Sequence, residues 1–133
     1  GVAVNWGPAL MGDDIEGICQ SVMDIPVCVS DASGFNGDAD RGWSDAMISL
    51  LRKVPHFSEK KQAGKINVIG PCILDPASDE SWENVLFIPG GQLMTYGELS
   101  LLSEAERNVV VHPRGLAVAR WLEENTQVPY SMQ

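Results

Sequence analysis

Val2 to Gly17, VAVNWGPALMGDDIEG, is an apolar run that turns through a Gly/Pro-rich corner into a capped amphipathic helix. Trp6, Gly7, Pro8 and Gly12 make the corner, and Ile15, Ile18, Cys19 and Val22 then fall at i, i+3, i+4 and i+7. This order predicts strand, loop and helix. Asp13 and Asp14 stand at the helix start, where a carboxylate accepts a free backbone N–H of the first turn and opposes the positive end of the dipole. They read as caps, with contact to a cofactor or partner as the alternative.

Composition bounds the rest. A chain of 133 residues is about one domain, enough to bury roughly two-thirds of the surface its unfolded form exposes. At 44% hydrophobic and 20% charged residues it falls with ordinary globular proteins rather than disordered ones. The sequence holds neither an apolar run of about 18 residues nor a signal peptide, and the expected location is cytoplasmic. Nine basic against eighteen acidic residues give a formal charge of −9, which disfavours nucleic acid and anionic membrane as partners. Cys19, Cys28 and Cys72 form no C-x-x-C pair, so neither a disulfide framework nor a self-contained zinc site is expected. Cys19 and Cys28 read as small buried residues.

Going outward along the chain, Asp24-Ile25-Pro26 ends the first helix and Val27-Cys28-Val29 reads as a short strand. Ser30 to Arg41 is a polar loop. From Gly42, a stripe of Trp43, Ala46, Met47, Leu50, Leu51 and Val54 predicts a helix closed by Pro55. Phe57 to Lys65 is a solvated connection. Ile66 to Gly70 reads as the third strand, with Cys72 just past its end, where a ligand can reach it. Asp75 to Asn84 is where a crossover helix belongs, although it is short for one. Val85 to Pro89 is the fourth strand and Gly90-Gly91 a turn. Tyr96 to Glu106 forms a helix with Leu99, Leu102 and Ala105 inward, and Asn108 to Val111 the fifth strand. Leu116 to Asn125 is a helix apolar on most of its faces, before Val128-Pro129-Tyr130.

Strands alternating with helices, and no hairpin signal between them, predict an α/β fold. We expect a three-layer Rossmann-like domain spanning residues 1–133, with a mostly parallel sheet of about five strands flanked by helices. The strand-to-helix loops at Trp6, Ser30, Cys72, Gly90 and His112 then share one edge, where a site belongs. A flavodoxin-like nucleotide binder is the weaker alternative, because no loop carries G-x-G-x-x-G or G-x-x-x-x-G-K-[ST]. A hydrolase is weaker still, since no Ser/His/Asp spacing can be placed together.

GDDIEGI at 12–18, SGFNGDADRGWSDA at 33–46, KINVIG at 65–70 and NVVVHPRGLAVARWLEENTQVPY at 108–130 occur in an order that resembles the nitrogenase component 1 superfamily. That group contains nitrogenase MoFe-type subunits, cofactor-assembly scaffolds and dark-operative protochlorophyllide reductase. The resemblance implies one internal Rossmann-like domain of a longer subunit. Its parent would be a nitrogenase-like oxidoreductase that helps form a metallocluster or tetrapyrrole-like substrate site, or a non-catalytic cofactor-binding or assembly scaffold. No cofactor is expected in the isolated domain, and an iron–sulfur or related metallocluster is expected in the parent. Implied partners are the other domains of the subunit, a homologous subunit and an ATP-driven iron–sulfur reductase.

By the same resemblance, Ser33, Gly34, Phe35, Gly37, Cys72, Gly90, Gly91 and Arg114 are candidate cofactor-binding residues. The departures bear on chemistry. Where the family commonly places a cluster-ligating cysteine before the Gly-Asp-Asp helix, this chain has Trp6, whose indole offers iron no lone pair. Asp31-Ala32-Ser33 stands in place of a cysteine–acid pair, and no histidine falls between Gly37 and Ala46. His112 lies nearest the position of a cofactor-ligating cysteine. It is a candidate metal ligand, with a strand-end histidine bonded to backbone as the alternative.

Overall fold

The β-branched runs at 66–69 and 107–110 form the centre of a parallel sheet in a computed structural model that describes residues 14–30, 38–71, 82–87 and 95–133. Contacts divide the chain into two units, Gly1–Lys53 and Val54–Gln133. The second unit carries strands β1 (Ile66–Ile69), β2 (Val85–Phe87), β3 (Arg107–Val110) and β4 (Tyr130–Met132) in the order β2-β1-β3-β4, every neighbouring pair parallel. Successive strand residues point to opposite faces, and Asn67, Val68 and Ile69 are all buried, as are Asn108, Val109 and Val110. Both faces of the two central strands are therefore covered, the arrangement expected of a parallel sheet. The fold is α/β, as the sequence predicts.

Two asparagines lie opposite each other in that core, in register between β1 and β3. The Asn67 amide donates to Asn108 Oδ1 and to Leu102 O, both at 2.8 Å, and the Asn108 amide donates to Val128 O at 3.1 Å. A buried polar group is tolerated when it is bonded, and these bonds join the central strands to the segments before β3 and before β4.

The helix expected over Tyr96 to Glu106 is a 3-10 helix, Tyr96–Glu104, and it stops short of Glu106. Ser100 Oγ donates to Gly97 O and Ser103 Oγ to Ser100 O, three-residue links that match the tighter winding. Leu99, Leu102 and Ala105 are buried, as expected. Helix α3, Leu116–Thr126, lies against β1, β3 and β4. It buries Val118, Ala119 and Leu122 on one side and exposes Ala117, Arg120 and Glu123 to Asn125, so it is not apolar on most faces. Gln127 closes it in the left-handed conformation (φ 60°), donating to Glu123 O, and the chain enters β4. No residue pattern marks β4 as a strand. Its pairing with β3, from Asn108↔Tyr130 to Val110↔Met132, arises from the register that α3 and its cap impose.

In the first unit, α1 (Ile15–Val22) begins at Asp14, whose Oδ1 accepts the Gly17 N–H at 2.9 Å, which makes it the predicted cap. Its apolar stripe lies largely in solvent: Ile18 is 61% and Val22 80% exposed. Val27 to Val29 is not a strand. The Gln20 carboxamide donates to Met23 O and Ile25 O and accepts the Val27 N–H, and Val29 O accepts from Ser49 Oγ, so side chains take the groups a ladder would use. Cys19 and Cys28 are half-buried and free, not fully buried. Helix α2 (Ala39–Arg52) starts three residues before the expected Gly42, because Asp38 Oδ1 accepts the Arg41 N–H at 3.0 Å and caps a polar first turn. It also ends before Val54. The expected strand near Val2, Asp13 and most of the crossover at 75–84 lie outside the described residues. Among the described residues no helix is long and apolar enough to cross a membrane.

Candidate functional site

An open parallel sheet binds ligands beyond the carboxyl ends of its strands, where successive connections leave to opposite sides. The order β2-β1-β3-β4 puts β2 on one side of β1 and β3 on the other, so that point falls between β1 and β3. Their carboxyl ends are Ile69-Gly70-Pro71 and Val110-Val111-His112. The Val111 N–H donates to Ile69 O at 3.0 Å, which carries the pairing one step past the strands.

Two glycines let these ends close on each other. Gly70 has φ +113°, and a Cβ there would lie 3.1 Å from His112 N, O and Cβ. A Cβ on Gly115 would come within 2.7 Å of Ile69 O, a backbone atom that cannot swing aside. Pro113 disfavours helical geometry at the residue before it, and His112 is accordingly extended (φ −145°, ψ 143°) at the head of the 3-10 turn Pro113–Gly115. The Gly115 N–H donates to His112 O at 2.9 Å, and α3 follows directly.

His112 and Arg114 are both half-buried and meet at this edge. The Arg114 backbone N–H donates to His112 Nδ1 at 3.2 Å and its Nε–H to the same nitrogen at 3.0 Å. Arg114 Nη2 lies 3.3 Å from His112 Nε2. The ring thus acts as an N-cap acceptor and as a seat for the guanidinium. Among the described residues no group of three His, Cys, Asp or Glu side chains could hold a metal ion.

The amino edge of the sheet is built differently. Ser58 Oγ and Gln62 Nε2 each donate to a Glu104 carboxylate oxygen at 2.6 Å, and the Gln62 backbone N–H donates to Glu104 O at 2.8 Å. Those side-chain bonds, Ser58's first, hold the Glu104 carboxyl below its ordinary value. Lys61 Nζ donates to Ser103 O, and the Gly64 N–H to Glu106 Oε2, both at 2.6 Å. The connection at 57–65 is therefore strapped to the 3-10 helix and to the start of β3, and is more than a solvated linker. Glu98, which accepts from the Thr95 N–H and hydroxyl, is likewise lowered by those bonds.

Residues 7–132 match the family described as Nitrogenase component 1 type Oxidoreductase. The chain belongs to that family. A relative, the "Nitrogenase iron-molybdenum cofactor biosynthesis protein NifE" of Klebsiella pneumoniae, is 27% identical over 147 residues, covering 92% of this chain. The chain spans 32% of that relative's length. Of the residues that the family resemblance nominated, the structure brings His112 and Arg114 together at the β1/β3 edge. Ser33, Gly34, Phe35, Gly37, Cys72, Gly90 and Gly91, together with Trp6, lie outside the described residues. Gly70 and Gly115 were not nominated. The Gly-Pro that follows β1 and the Pro-Arg-Gly that follows His112 were the signals for them.

Proposed function

We propose that this chain is one Rossmann-like domain of a nitrogenase-like cofactor-assembly protein, and that the carboxyl edge of its sheet forms part of the wall of a metallocluster site. The observation that carries the reading is the family match over 7–132 joined to the relative named for cofactor biosynthesis. The switch point between β1 and β3, with Arg114 beside it, supports the location. Arg114 supplies fixed positive charge and N–H donors there, suited to the sulfide and carboxylate groups of an anionic cluster. Ser33, Gly34, Phe35, Gly37, Cys72, Gly90 and Gly91 are kept as proposed cofactor-binding residues on the family resemblance alone. The other domains of the subunit, a homologous subunit and an ATP-driven iron–sulfur reductase are the proposed partners.

A second reading, an oxidoreductase subunit that turns over substrate, is favoured by the family's own description. The two separate in one experiment on the full-length protein, purified without oxygen and supplied with an ATP-driven iron–sulfur reductase. The assembly reading expects cluster iron to co-purify and to pass to an acceptor protein without reductase-dependent substrate turnover. Turnover would select the second reading. A protein that takes up no cluster and shows no turnover would overturn both.

A further inference from the structure

The family implies a metallocluster, and His112 stands nearest the position of a ligand to it. We infer that His112 is instead a positioning residue: its ring holds the Arg114 side chain at the β1/β3 edge and does not ligate a metal. The inference rests on the ring's hydrogen bonds and stands apart from the reading above.

The argument concerns the two ring nitrogens. Nδ1 accepts from the Arg114 backbone N–H and from its Nε–H, so its lone pair is taken. In a neutral imidazole with Nδ1 accepting, the proton belongs to Nε2, which faces one Arg114 donor at 3.3 Å where Nδ1 faces two at 3.2 and 3.0 Å. A metal at Nδ1 would have to displace both donors and with them the N-cap. A metal at Nε2 would move the ring proton to Nδ1, since a ligating histidine donates through its other nitrogen. There it would face two N–H groups at 3.2 and 3.0 Å, donor against donor. The guanidinium adds a third obstacle, because Nη2 lies 3.3 Å from Nε2, where a cation would bind beside a permanent positive charge. The donor set does not fit a metal bond from this ring in this arrangement. It does fit an acceptor that fixes an arginine.

An asparagine separates the two roles, because its Oδ1 can stand where Nδ1 stands and caps a helical turn well, while nothing replaces Nε2. In the full-length protein, H112N should keep the thermal midpoint of the parent and H112A should lose several degrees. With selectively 15N-labelled histidine, the His112 signal, identified by its loss in H112N, should show an unprotonated Nδ1 and a protonated Nε2. A titration with Co2+ under anaerobic conditions should leave that signal unbroadened. A protonated Nδ1, or Co2+ broadening at His112, would overturn the inference, as would an H112N that falls as far as H112A. The labelling measurement needs only the unmutated protein and the assigned signal, so it decides even if H112A does not fold. A protein that fails to handle cofactor would overturn the proposed function and leave these signals where they are.

Discussion

The two edges of the sheet use their polar groups differently. At the amino edge, Ser58, Lys61, Gln62 and Gly64 donate to Ser103 O, to Glu104 or to Glu106, and every bond fastens one segment of the chain to another. At the carboxyl edge, two glycines bring the strand ends into contact and, among the described residues, a histidine seats an arginine. Both amino-edge glutamates are committed to structure; the carboxyl edge presents a cation next to the topological switch. The Glu104 carboxylate, lowered by its hydrogen bonds to Ser58 and Gln62, is therefore a fastening here, and the proposed site lies at the opposite end of the strands.

The largest effect should come from the core that both edges share. Leu122 is fully buried, and L122A should cost about 2 to 5 kcal/mol in urea unfolding, with both edges lost in one transition. Unfolding in two steps, one per edge, would break the comparison by showing that the edges are not parts of one sheet unit. Next is G115A, which forces a methyl against Ile69 O and should cost about 1 to 3 kcal/mol. It should also shift the His112 ring signals, whereas S58A, worth about 1 kcal/mol, should leave them unchanged. An S58A that moves His112 would mean that the edges are coupled.

The subtlest test is pH. The Glu104 carboxyl is lowered on folding, so the folded state binds fewer protons there than the unfolded state as acid is added. Its contribution is fully present above the ordinary value of 4.5 and is lost as pH falls through the folded value. E104Q should flatten the acid limb of a stability–pH curve below that point and leave the neutral region's slope unaltered. An acid limb as steep as the parent's would assign the loss to other carboxylates, Glu98 first.

What the sequence disclosed follows from the range of the forces involved. β1 and β3 were legible because β-branched runs bounded by Gly, Pro and polar residues mark buried strands locally. β4 was not, because Tyr130-Ser131-Met132 has no such pattern and becomes a strand only through its register with β3. Val27 to Val29 misled for the opposite reason: the pattern is a strand's, but the Gln20 carboxamide takes the Val27 N–H from seven residues away. Amphipathic spacing identified α1 and a largely apolar run identified α3 as helices, yet Leu122 is buried and Val22 is 80% exposed. Periodicity fixes a helix's faces and says nothing of what covers them. At the site, His112 and Arg114 could be nominated by position. The bond between them depends on the extended backbone before Pro113, which only the three-dimensional structure displays.

Hydrogen–deuterium exchange on the full-length protein, with and without an added iron–sulfur cofactor cluster, tests most directly the claim that the carboxyl edge is the working end. The account predicts new protection at the amides of Gly70, Val111, His112, Arg114 and Gly115, with Gln62 and Gly64 unchanged. Protection confined to the amino edge, with the five carboxyl-edge amides exchanging as before, would contradict it.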